Sequence, residues 1–190
     1  SKTNCTLRKL ILMGIMAGAY IAFAGVASTM GAFNLLAEAD TYGLGRILCG
    51  AIFTGGLVIV TLAGAELFTG NTLITISVLE KKTTVAKMLK NWIIVYISNF
   101  AGSVLIAWLV YNSGVLSSGD GLLGAMTIKI ASGKVNLNFA QCFASGILCN
   151  WLVCLAVWAS SGAKSTIDKV AAVFFPIWLF ATCGFEHSIA

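Results

Sequence analysis

Charge is scarce in this chain of 190 residues: 10% are Asp, Glu, Lys or Arg, against 58% hydrophobic, and mean hydropathy is +0.93. So little polar side chain cannot coat a water-soluble globule, which excludes a soluble domain. Histidine occurs once, as His187, so a multi-histidine metal site is excluded. The six cysteines (Cys5, Cys49, Cys142, Cys149, Cys154 and Cys183) form no C-x-x-C pair, and five lie in apolar stretches. They read as small buried hydrophobes rather than metal or redox groups. There is no phosphate-binding glycine loop and no H-E-x-x-H helix. No cofactor or metal is therefore expected, and an enzyme, which lacks nucleophile–base pairs here, is the class with least support. Proline also occurs once, as Pro176.

What the chain does have is long uncharged runs, at 10–37, 47–65, 91–119 and 135–163. About 20 apolar residues cross the hydrocarbon core of a bilayer, so the pattern predicts a multi-span, all-α membrane protein. The first run is too long for the apolar region of a cleavable signal peptide, and the first helix is expected to stay in the mature protein. That helix is predicted from Arg8 or Lys9 to Leu36, a third over 91–112, a fourth over 138–161 and a fifth from Val170, kinked at Pro176. Between the third and fourth lies a Gly/Ser-rich stretch and a short semi-polar segment carrying Lys129 and Lys134. The span from Ile47 to Leu79 is too long for one straight crossing and has Glu66 and Gly70 near its middle. It reads as two half-helices joined by a loop at about 65–71.

Orientation follows from the cations. One side collects Lys2, Arg8, Lys9, Lys81, Lys82, Lys87, Lys90, Lys164 and Lys169; the other has only Arg46, Lys129 and Lys134. The positive-inside rule puts the N-terminus in the cytoplasm, and the cytoplasmic (inner) membrane is the expected location. The net charge of +5 is thereby assigned to topology and to contact with anionic membrane lipid, and nucleic acid is not an expected partner.

Gly64-Ala65-Glu66 and Gly184-Phe185-Glu186 align at a spacing of 120, on the second and fifth apolar segments. Equivalent helices in two halves with an odd number each imply an inverted repeat, with halves at about 8–112 and 138–190 within a single transmembrane domain, 1–190. The second half then calls for a sixth helix, and the native chain is expected to be longer. Ionisable groups at membrane depth are costly and mark functional candidates: Glu66, Glu186 and His187. The two carboxylates either line a path or accept hydrogen bonds that hold the loops. His187 either lines a solute path or is a satisfied packing histidine. Phe53, Leu57 and Phe180, one or two turns before the breaks, are ordinary apolar residues on periodicity alone; were the breaks to face each other, they would form apolar necks beside the histidine.

The strings A-E-L-F-T-G-N (65–71), C-N-W-L-V-C-L-A-V-W (149–158) and G-F-E-H-S-I-A (184–190) resemble signature segments of the formate/nitrite transporter family, pentameric channels for small monovalent anions of weak acids. The resemblance extends from about Gly14 to the last residue. It implies an aquaporin-like fold of six helices with the second and fifth broken, and a homopentamer with one pore per protomer. It further implies an outer constriction at Phe53 and Phe180 and an inner one at Leu57, Leu67 and Val153, with Phe68, a further constriction residue, and Thr69 on the gating loop. Lys134 would be the vestibule lysine, Asn150 the pore asparagine, His187 the central histidine, and Glu66, Glu186 and Asn71 supports of the breaks. The departure from the family pattern is at the C-terminus, where the asparagine expected after Ala190 and the sixth helix do not appear, so the native chain is expected to continue. Within the family, the overall texture is more similar to the hydrosulfide-conducting subgroup than to the formate group.

Physically, an anion meets a dry barrier at an apolar neck that the neutral acid crosses more easily, so the histidine would donate a hydrogen bond or a proton. The competing readings are a neutral-solute pore of the aquaporin type, which usually carries Asn-Pro-Ala at both breaks where this chain has none, and an assembly subunit without a pore. The Gly14-x-x-x-Gly18 pair is expected to serve the close helix packing of an oligomer.

Overall fold

The computed structural model describes residues 5–189; Lys2 and Ala190, both invoked above, lie outside the described residues. Among the described residues eight α-helices follow one another: α1 Leu7–Ala37, α2 Tyr42–Leu62, α3 Phe68–Asn71, α4 Ile74–Leu79, α5 Val85–Asn112, α6 Leu122–Val135, α7 Phe139–Ser161 and α8 Thr166–Cys183, with a 3-10 turn at Val115–Ser117. Among the described residues, five of them (α1, α2, α5, α7 and α8) are long and apolar enough to cross a membrane. Their outer faces carry large apolar side chains such as Phe100, Trp108, Trp151 and Trp158, each more than half exposed, which in a water-soluble protein would be a liability. The chain is a multi-pass membrane protein.

Long α1 is the central post, packed against α2, α5 and α6, while α8 packs on α2 and α7. Its buried face, Leu10, Gly14, Ala17, Gly18, Ile21, Ala24, Ser28, Ala32 and Leu36, recurs every three or four residues and is mostly small. Small residues let backbones approach, which is what helps helices associate in lipid. A Cβ added to Gly18 would lie 1.9 Å from the Asn99 carbonyl oxygen on α5, and one on Gly14 would lie 2.6 Å from the Ser98 Cβ. The glycine pair therefore serves packing within the protomer, against α5, and not the oligomer contact expected from the sequence.

Several boundaries also differ from expectation because polar caps, not the edges of uncharged runs, set them. α5 begins at Val85, where the Thr84 side chain accepts from the Lys87 N–H, and Lys87 and Lys90 ride on exposed positions of its first turns. α8 begins at Thr166 rather than Val170, because Ser165 and Asp168 form a capping box: Ser165 Oγ accepts from Asp168 N at 3.1 Å and Asp168 Oδ2 from Ser165 N at 3.0 Å. Asn138 and Gln141 do the same for α7. α8 continues as helix through Pro176. The semi-polar segment before α7 is the helix α6, which buries Leu123 and Met126 and packs on α1.

Candidate functional site

Two helix ends create the site. α2 stops at Leu62 and the chain becomes non-helical over 63–67, so the first break is shorter than the expected 65–71, with Phe68–Asn71 already a helical turn. A helix end inside a membrane must have its backbone groups satisfied by protein. Here the sequence reading missed the main partner, Asn99 of α5, which is fully buried. Its Nδ2 donates to Gly14 O at 2.8 Å and to Glu66 O at 2.9 Å, and its Oδ1 accepts from Phe68 N at 3.0 Å. The Glu66 N–H donates to Met13 O of α1 at 3.2 Å. Asn71 is held likewise: its Nδ2 donates to Asn91 Oδ1 at 2.9 Å, and its carbonyl accepts from Trp92 Nε1 at 2.9 Å. The signal for this clamp was present, since Asn91 and Asn99 are eight apart, on one face of a helix within a long uncharged run.

Leu67 has extended backbone, φ −100° and ψ 134°, so neighbouring side chains point to opposite sides. Leu67 goes inward to a buried cluster with Leu57, Val153 and Phe180, against which Phe53 packs. Phe68 goes the other way, with ring centroids 5.3 Å from Tyr96 and 6.1 Å from Trp92 on α5. The ring of Phe68, a residue expected at a constriction on the gating loop, thereby anchors the break to α5. Thr69 is buried, and its hydroxyl has no hydrogen-bond partner among the described residues. Its carbonyl accepts from Thr72 Oγ1 at 2.6 Å and lies 3.5 Å from Cys154 Sγ.

The second break follows α8. Gly184 has φ +77°, a conformation that favours glycine, and its N–H and that of Phe185 both donate to Phe180 O, at 3.0 and 3.1 Å. Phe185 to Ile189 then run without helix. The Glu186 N–H donates to Ser145 Oγ of α7 at 2.7 Å, and the Glu186 carboxylate pairs with the Lys134 ammonium of α6. Asn150 of α7 accepts from Ser188 Oγ at 3.0 Å while its own amide bonds back to Gly146 O. His187 Nδ1 accepts from Ile189 N at 3.2 Å, so the neutral ring carries its proton on Nε2. Ser145 and Arg46, which bonds to the end of α8, were not singled out from the sequence.

Phe180 joins the two breaks. Its ring meets Phe53 edge-on at 5.9 Å and stacks on His187 at 5.9 Å with 16° between the planes. Beside this trio lies a cavity of about 850 Å³, whose lining includes Phe53, Phe180, Glu186 and His187 and also Arg46, Lys129 and Lys134. All three cations of the sparsely charged side thus line one cavity, against the single carboxylate of Glu186. The arrangement can draw in an anion, and beyond the cavity it meets aromatic and aliphatic side chains.

The sequence matches the family model "Formate/nitrite transporter" over residues 1–190. It is 36% identical over 203 residues to a probable formate transporter of Methanothermobacter thermautotrophicus, covering all of this chain and 74% of that one. To the formate channel FocA of Haemophilus influenzae it is 36% identical over 179 residues, covering 94% of this chain and 62% of the relative. Among solved structures, a pentameric formate channel with formate bound superposes with a TM-score of 0.86 at 35% identity, over 96% of this chain and 71% of that one. The chain therefore spans 62% to 74% of the length of these proteins.

Proposed function

We propose that this chain, which belongs to the formate/nitrite transporter family, is one protomer of a homopentameric channel for small monovalent anions of weak acids. Formate comes first among these, because the relatives quoted are named for it. In this reading the chain is one transmembrane domain of two inverted halves, 8–112 and 138–190, in the cytoplasmic membrane with its N-terminus inside. The observation that carries the reading is the stacking of His187 on Phe180, whose ring also meets Phe53, beside a cavity lined by three cations.

The mechanism follows from electrostatics. Arg46, Lys129 and Lys134 raise the local concentration of an anion in the cavity. Phe53 and Phe180 then form the outer neck, and Leu57, Leu67 and Val153, each no more than 2% exposed, the inner one. A bare anion loses its hydration at such a neck, a cost of several kcal/mol in real proteins. Between the necks the Nε2–H of His187 donates a hydrogen bond to the anion, or the ring first takes up a second proton from water in the cavity and passes one to the anion, returning to neutral, so that the neutral acid passes the inner neck. Asn150 and Ser188 fix the course of the break around the histidine, and Thr69 offers a hydroxyl beyond Leu67. Asn71 and the backbone of Glu66 hold the first break, and Glu186 the second.

The test is release of labelled formate from liposomes holding the full-length protein, with nitrite, hydrosulfide and lactate as competitors. The expected result is release faster than from empty vesicles and slowed by the small weak-acid anions. Release no faster than from empty vesicles would overturn the reading.

A further inference from the structure

α8 is 18 residues long and ends facing the cavity, so its last carbonyls and its dipole present negative charge where an anion has to pass. Arg46 covers that end. Its Nε donates to Thr182 O at 3.0 Å and its Nη2 donates to Ala181 O. The guanidinium lies against Gly184, where an added Cβ would come within 2.8 Å of Nη2, so the position next to it has no room for a side chain. Trp178 Nε1 donates to Ile47 O at 2.8 Å and ties the two helices together beside it.

Two further facts separate this cation from Lys134. Lys134 is paired with the Glu186 carboxylate, whereas the bonding partners of Arg46 are neutral carbonyls, which leave it a full positive charge. The repeat duplicates the break but not the cation: at the spacing of 120, Arg46 corresponds to Thr166, which is uncharged. The device exists at the cavity-facing break only.

We propose that Arg46 is a positioning and specificity residue of the anion path, cancelling the negative end of α8 so that an anion can approach His187. The proposal rests on the channel reading above. It differs from a plain helix cap in that charge, not geometry, is what counts. Arginine's two-pronged contact cannot be copied by lysine, but lysine keeps the charge, and glutamine keeps a donor without it.

The experiment measures formate flux against formate concentration in liposomes holding the full-length protein, for wild type, R46K and R46Q, at low and high ionic strength. Removing a unit charge near the path is worth on the order of 1 kcal/mol even in a water-like environment, or about fivefold in apparent affinity. The expected result is that R46Q raises the half-saturating concentration about fivefold or more at low salt with its maximal rate retained, that R46K stays near wild type, and that high salt closes the gap. An R46Q protein that matches wild type, one that fails to assemble as judged by size-exclusion chromatography, or R46K and R46Q losing maximal rate together would each overturn the proposal. Absence of formate flux in the wild type would instead remove the channel reading on which it stands.

Discussion

Replacing Asn99 by leucine removes three hydrogen bonds at one point while keeping the branched heavy-atom skeleton of the side chain. The bonds at stake are those to Gly14 O, Glu66 O and Phe68 N, at 2.8, 2.9 and 3.0 Å, made by a side chain with no exposed surface. Side-chain hydrogen bonds inside membrane proteins average about 0.6 kcal/mol and reach about 1.7. Buried backbone groups left without a partner cost about 1–3 kcal/mol each. Three hydrogen bonds at the membrane-protein values give roughly 2–5 kcal/mol, and more where the freed backbone groups find no other partner. The loss falls on the first break, because two of the three partners, Glu66 and Phe68, flank Leu67 at the inner neck. Two readouts follow: unfolding of the purified protein in mixed micelles, and hydrogen exchange of the Phe68 amide. The expected result is a clear loss of stability together with faster exchange at Phe68. A variant within 0.5 kcal/mol of wild type, with Phe68 protection unchanged, would refute the assignment of Asn99 as the anchor of the break.

Other expectations concern packing and the path. Gly18→Val places a branched side chain where even a Cβ would sit 1.9 Å from Asn99 O, so α1 and α5 must separate; a stability loss of about 3 kcal/mol or more, seen as loss of folded protein on size-exclusion, is expected, and normal yield would contradict it. Phe180→Ala removes the ring shared by Phe53 and His187 and should admit larger solutes such as lactate or glycerol, read as a fall in formate selectivity; unchanged selectivity would take Phe180 out of the neck. His187→Asn keeps a hydrogen-bond donor but cannot titrate. If the histidine supplies a proton, the pH dependence of flux should flatten; an unchanged profile would leave hydrogen bonding as its whole role.

Much of the site was legible because membrane physics makes certain residues conspicuous. A carboxylate and a histidine in a chain with so little charge stand out, and the Gly-x-Glu repeat at a spacing of 120 marks both breaks. Leu57, Leu67, Val153 and Phe180 do meet in one buried cluster, with Phe53 against it. What escaped notice was the support. Asn99 reaches the first break across 31 residues of sequence and α1 across 85, and Arg46 reaches α8 across 136. Such contacts depend on which helices are neighbours, which no local pattern encodes. Neutral asparagines also leave an uncharged run intact, so α5 looked uniformly apolar although Asn91 and Asn99 share its buried face. The contact of Phe68 with α5 was hidden for a local reason: the extended backbone at Leu67 sends consecutive side chains to opposite sides. Arg46, Lys129 and Lys134 were read only as topology markers apart from Lys134, yet the fold gathers all three around one cavity.

The most direct test of the central claim is a double-label flux measurement on liposomes holding the full-length protein, with formate and glycerol in the same vesicles, across pH 5 to 8. A weak-acid anion channel passes formate well ahead of glycerol, at a rate that changes with pH. Glycerol passing as fast as formate, with no dependence on pH, would contradict the account and leave a neutral-solute pore in its place.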